Sequence, residues 1–314
     1  MERLGLAAGA VVAGSAAVAV SDNLVPLAAE DMGLWQLMVL RSLVALPVAL
    51  AVAWAAGLAG TLAGRSLAAV AARSGLIVGA LLLYFAALPA VGIALAAAGM
   101  FTSPIWIVLL SSLVLRERIG PYRLGALALG FAGVCLVLGV GSVPLEAVML
   151  LPVCAGLLYG LNVMVTRSWC AGESSICLVT WQTVFFLGAG AVGLLVAPWL
   201  GRLVGEVPGT GFITMEPTAV TARGLGIAAL IGLSGLLGGG LLATGYRLGR
   251  SSVVGLFDYS FLVWAPLFGW LIRGEALAAR TVGGMALIAL AGVLAMQAGR
   301  RMEARQAAAL RRGR

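Results

Sequence analysis

Apolar residues along this chain come in long unbroken blocks, not in the alternating patterns of half-buried elements. A helix needs about 20 apolar residues to cross the ~30 Å hydrocarbon core of a bilayer. Reading the blocks between charged or turn-rich breaks gives ten of that scale: 4–20, 34–56, 67–88, 90–115 and 122–140, then 145–166, 176–199, 224–246, 251–272 and 278–298. The third and fourth are divided only by Leu88-Pro89-Ala90, which predicts a tight connection there. Helical phase adds little, because a helix that is apolar all round has no polar face. The pattern predicts an all-α integral membrane protein of ten transmembrane helices.

The blocks also repeat. Trp35-Gln36 opens one apolar run and Trp181-Gln182 opens another. Trp106 stands eleven residues before Glu117, and Trp264 eleven before Glu275. Each Glu leads into a run ending in Ala-Gly-Val, at Ala132-Gly133-Val134 and at Ala291-Gly292-Val293. The spacing divides the chain into a first five-helix repeat over 1–141, a second over 142–299, and a basic tail over 300–314. Internal duplication of a membrane bundle is the hallmark of secondary transporters.

Charge placement orients the helices. With the N-terminus in the cytoplasm and the sides alternating, only Arg202, Arg223, Arg273 and Arg280 fall in outer loops, Arg41 lies within a span, and every other arginine, Arg73 included, falls inside. That bias follows the positive-inside rule and puts both termini in the cytoplasm. Five spans is an odd number, so the two repeats must face opposite ways. The first outer loop is expected to be acidic, with Asp22, Glu30 and Asp31, and the longest outer break, 201–223, carries the extra residues of the second copy.

Composition sharpens the class. The 314 residues are 62% hydrophobic and 10% charged, against about 25% charged in soluble domains. The net charge of +8 is carried by arginine alone, since the chain has no Lys and no His. Codon bias and membrane topology account for those arginines better than a nucleic-acid partner, and none is expected. The absence of His removes the usual proton shuttle near neutral pH, so any proton coupling must use a carboxylate. Cys135, Cys154, Cys170 and Cys177 have no metal-ligand spacing and read as packing residues. No GxSxG, phosphate loop or His-Glu cluster is present, so neither an enzyme nor a cofactor is expected.

Polar groups at membrane depth are costly and by default point to function. Arg41, about seven residues into its span, is read either as a guanidinium fork for a carboxylate or phosphate or as half of a structural pair. Asp258 is the acid clearly inside a span, suited to a proton, a cationic group or Arg41. Trp35 and Trp181 fit an aromatic belt, with Gln36 and Gln182 beside them as candidates for an outer vestibule. Tyr84, Trp106, Tyr159, Tyr259 and Trp264 are candidate pocket walls, and Asn162 adds hydrogen-bonding capacity. Pro104 and Pro266 are expected to interrupt the fourth and ninth spans near their middles. Glu117 and Glu275, flanked by arginines at span ends, read as gating ion pairs. The glycines of the eighth span, among them Gly232, Gly235 and Gly238, read as close helix contacts.

These motifs carry a resemblance. Pro104…Leu115-Arg116-Glu117 with Gly125…Ala132-Gly133-Val134 in the first copy resembles the EamA-type drug/metabolite transporter superfamily. Leu40-Arg41-Ser42 and Phe257-Asp258-Tyr259…Trp264-Ala265…Gly269-Trp270…Gly274-Glu275 are similar to its S-adenosylmethionine uptake-like branch of bacterial permeases. The resemblance spans essentially the whole chain, apart from the long 201–223 break. It implies a multi-pass protein of the bacterial inner membrane with a central cavity, exporting or exchanging a small organic solute, with room for a homodimer. The competing class is a non-transporting scaffold or receptor, which needs no polar chamber.

Overall fold

In hydrocarbon every backbone N–H and C=O must find its partner within the chain, and a helix does this locally. The computed structural model describes residues 2–114, 116, 120–138, 150–204, 211–249, 254–274, 278–291, 293, 294 and 297. Among them the regular structure is helical throughout. In chain order the helices are α1 (Glu2–Ala29), α2 (Leu34–Ala55), α3 (Leu67–Met100), α4 (Ser103–Leu113), α5 (Pro121–Leu138), α6 (Leu150–Ser168) and α7 (Ser175–Val204). A single turn α8 (Gly211–Thr214), α9 (Ala222–Leu248), a 3-10 segment Gly255–Ser260, α10 (Phe261–Arg273) and α11 (Ala279–Ala291) follow. Six stretches of the described helices are long and apolar enough to cross a bilayer, and shorter apolar helices accompany them.

Two differences from the expected boundaries bear on the interior. α1 does not stop at Val20 but continues to Ala29, which carries Asp22 into the helix and out of the acidic outer loop. The polar triplet Ser21-Asp22-Asn23 is tolerated because neighbours meet it: Ser21 Oγ donates to the carbonyl of Ile231, and Asn23 Nδ2 donates to the carbonyls of Ala19 and Ala265.

The second difference concerns Pro89, where no reversal occurs. α3 runs on to Met100, and the chain turns at Phe101-Thr102. Gly79 meets Leu158 and Gly99 meets Pro152, so α3 lies antiparallel to α6; Thr102 and Trp106 then meet Gly156 and Gly160, so α4 returns along the same helix. Pro104 accordingly sits in the first turn of α4, where a missing N–H costs nothing. It does not interrupt the middle of a span. Pro266 lies inside α10, just beyond the 3-10 segment that carries Asp258.

The packing pairs up. α1 lies along α9 as α3 lies along α6, α10 leans on α1 as α4 leans on α6, and α2 crosses α7 between them. Small residues permit this closeness: a Cβ added to Gly14 would stand 3.0 Å from the carbonyl of Gly238, so bare backbone meets bare backbone where α1 crosses α9. The largest buried apolar cluster gathers Leu4 and Val11 of α1, Ile107 of α4, Tyr246 of α9, Leu256 and Tyr259 of the 3-10 segment and Ile288 of α11.

α2 and α7 run antiparallel, with Gly193 against Trp35 and Gly190 against Met38 and Val39. Their repeated Trp-Gln pairs therefore sit toward opposite ends of the bundle. Trp35 Nε1 donates to the carbonyl of Ile213 at 2.8 Å, and Trp181 Nε1 donates to the carbonyl of Leu62 at 2.9 Å. Each indole thus pins a loop of the opposite half of the chain, the one leading into α9 or the one leading into α3.

Candidate functional site: a chamber between the halves

A cavity of about 150 Å³ lies where α1, α3, α6, α9 and the 3-10 segment converge. Its walls include Ser15, Asp22, Leu81, Tyr84, Phe101, Ser103, Tyr159, Leu242, Asp258 and Phe261. The lining is mostly apolar and aromatic with a few convergent polar groups, which is the usual make-up of a small-molecule site. Two carboxylates face it, one from each half of the chain.

Asp258 is buried in the 3-10 segment. There the loosened backbone brings a polar side chain to the chamber wall without disturbing a full helix. Tyr246 of α9 donates its hydroxyl to Asp258 Oδ2, and the phenol of Tyr159 of α6 interacts with the same carboxylate and with Tyr246. Hydrogen bonds to a charged acceptor are roughly twice as strong as neutral ones. The two phenols supply Asp258 with partners that lipid could not.

Asp22 has a different setting. It is exposed, and it lines the cavity. It interacts electrostatically with Arg41 of α2 and with Tyr84. Arg41 does not line the chamber. Its guanidinium lies over the ring of Phe186, 5.0 Å from the centroid, a cation–π contact, and rests against Gly235, while the backbone of Arg41 packs on Gly232. Together with Ser42, Gln182 and Thr183 it borders a void of about 10 Å³, roughly the space of one water. Ser42 Oγ is buried there without a partner among the described residues.

The remaining sequence candidates scatter. Tyr84 joins Asp258 at the chamber, and Gln182 joins Arg41 at the small void. Gln182 Oε1 also accepts from Arg73 Nη1 at 2.7 Å. Arg73 is itself a buried arginine that the charge count had assigned to a cytoplasmic segment. It donates further to the carbonyl of Leu178 and to Thr166 Oγ1, while its own carbonyl accepts from Asn162 Nδ2 at 2.8 Å.

Gln36 grips the backbone of Thr218, donating to its carbonyl at 2.8 Å and accepting from its N–H at 2.9 Å. Trp106 bonds Thr102 Oγ1 and packs on Gly160. Tyr259 is buried against Gly130. Trp264 stacks on Phe268 and lines a separate apolar cavity of about 380 Å³ with Leu256 and Ile288. Glu117 and Glu275 lie outside the described residues.

Asp22, Tyr246 and Arg73 are the polar residues of this interior that the sequence did not bring forward. For Asp22 a signal exists: no glycine or proline breaks the chain from Ser15 to Val25, so nothing there ends a helix.

A multi-pass helical protein with a mostly apolar chamber, into which a carboxylate projects from each half of the chain, has the architecture of a membrane transporter. Residues 5–139 match the EamA-like transporter family. The chain is 33% identical over 224 residues to a riboflavin transporter of Rhizobium johnstonii, covering 71% of this chain and 68% of that protein. It is 27% identical over 215 residues to an uncharacterized transporter of Helicobacter pylori, covering 68% of each. A solved crystal structure shares its fold, with a TM-score of 0.70 at 19% identity over 94% of this chain and 99% of that one. This chain belongs to the EamA-like transporter family.

Proposed function

We propose that this protein is a secondary transporter of a small organic metabolite, built as two inverted five-helix repeats and working by alternating access across the bacterial inner membrane. Supporting the repeat is the correspondence in packing: exchanging α1 with α6, α2 with α7, α3 with α9 and α4 with α10 turns one set of helix contacts into the other. Supporting the orientation is the arginine bias, which favours cytoplasmic termini.

The observation that carries the reading is the convergence of Asp22 and Asp258, from different halves, on one chamber. Carboxylates at membrane depth cost several kcal/mol unless used or paired. Rocking one half against the other would open that chamber to each side in turn. Arg41, outside the chamber wall, acts on it through Asp22. The solute is a flat organic ring with hydrogen-bond donors, in keeping with the riboflavin carried by the Rhizobium relative and with Phe101, Tyr84 and Phe261 as stacking surfaces.

The test is uptake of labelled riboflavin into proteoliposomes holding the purified protein. Time-dependent accumulation above protein-free vesicles, lost in Arg41→Ala and Asp258→Asn variants that still insert and fold, supports the reading. Accumulation of no solute from a broad metabolite panel would remove it.

A further inference from the structure

We infer that Asp22 is the carboxylate that meets the solute, and that the chamber admits solutes presenting a cationic nitrogen or N–H and O–H donors while rejecting anions. The inference rests on the chamber being the transport site and names the chemistry it accepts.

The two acids of the chamber are not equivalent. Asp258 is already served by the hydroxyl of Tyr246, with Tyr159 beside it. Asp22 makes no hydrogen bond to another described residue and is open to the cavity. An unfilled carboxylate acceptor in a mostly apolar chamber attracts a donor and disfavours a second anion, and both effects are strong where water is scarce.

Arg41 does not reverse that preference. Its charge acts on this acid, but it stands behind the wall. Its guanidinium is turned onto Phe186 and Gly235 and borders the void beside Gln182. From there it balances Asp22 without presenting N–H groups to a solute. No arginine lines the chamber among the described residues. The substrate fork that the sequence suggested for Arg41 is therefore replaced by a positioning role: its charge favours the carboxylate form of Asp22 from behind the wall.

The experiment measures equilibrium binding to the purified protein in nanodiscs with three probes: uncharged riboflavin, its anionic 5′-phosphate, and tryptamine, a flat cation. The expected result is that riboflavin or tryptamine binds at least about tenfold more tightly than the phosphate ester, and that Asp22→Asn weakens that binding by about tenfold or more. The comparison among probes uses the unaltered protein, so a variant that fails to fold does not blunt it.

Binding of the phosphate ester as tight as that of riboflavin would overturn the charge preference and leave transport untouched. Unchanged riboflavin and tryptamine binding in a folded Asp22→Asn protein would overturn the role of Asp22. Binding of none of the three would also overturn the inference, while uptake of a solute panel into proteoliposomes decides separately whether the protein transports.

Discussion

Arg41 lies against Gly235 so closely that a Cβ added there would stand 2.8 Å from the guanidinium Nη2, and one added to Gly232 would strike the carbonyl of Arg41. One helix turn of α9 is thus shaped around a single residue of α2. The two glycines differ in what a methyl would displace. At Gly235 it meets the far end of a flexible side chain, and at Gly232 it meets backbone.

Gly232→Ala is therefore expected to destabilise the protein by about 1–3 kcal/mol, the usual cost of forcing packed elements apart. Gly235→Ala should cost less than that in stability and yet impair transport, because it pushes the guanidinium off Phe186 and away from Asp22. Thermal melting in detergent beside initial uptake rates separates the two. Equal losses of stability in both variants would contradict this account.

The indoles of Trp35 and Trp181 make matching bonds toward opposite ends of the α2–α7 pair. Replacing either with Phe removes one hydrogen bond, worth about 1 kcal/mol or a factor of about five in local opening. Cys177 is a built-in reporter for one end, since its Sγ lies 3.7 Å from the same Leu62 carbonyl that Trp181 holds. With the other three cysteines changed to Ser, Trp181→Phe should raise maleimide labelling of Cys177 about fivefold. Trp35→Phe should leave it near the starting rate.

Glu173, buried in the loop between α6 and α7, accepts the backbone N–H of Arg65 at 2.7 Å and of Ser66 at 2.9 Å. It caps the start of α3 from the other half of the chain, with its negative charge at the positive end of that helix. Glu173→Gln keeps an acceptor but loses the charge, and a drop of about 1 kcal/mol in unfolding free energy is expected. Glu173→Ala removes the acceptor as well and should cost about 2 kcal/mol. Denaturation in mild detergent measures both.

Tyr246→Phe keeps the ring and removes the hydroxyl that Asp258 accepts. A hydrogen bond to a charged group is worth about 1.5–3 kcal/mol, so transport is expected to fall by about tenfold or more. Tyr159→Phe should act in the same direction and the double variant should be worse than either. Initial rates in proteoliposomes carry the comparison, with circular dichroism to verify the fold.

The long apolar blocks are legible without coordinates, because bilayer thickness leaves a large compositional mark. Asp22 was hidden by the same logic. Ser21-Asp22-Asn23 looks like the end of an apolar run, and only hydrogen bonds to Ile231 and Ala265, with the charge of Arg41 nearby, make it the inside of a helix. Pro89 misled in the opposite sense, since a proline marks a break in isolation but can lie within a packed membrane helix. Arg73 was read as a topology signal by its place near a span end, while Thr166, Leu178 and Gln182, distant in sequence, complete its hydrogen bonds. In each case the deciding partner lies far along the chain, where spacing and composition carry no information.

The scaffold pairs its helices evenly, but its ionisable groups do not follow suit. On the two-repeat reading, the positions matching Arg41 and Asp258 are Leu187 and Met100, neither of which can carry charge. Tilting one half outward and tilting its counterpart inward therefore place unlike electrostatics at the mouth. In the alternating-access cycle proposed above, the two resting postures differ in free energy, and an unladen molecule waits on a preferred side of the bilayer.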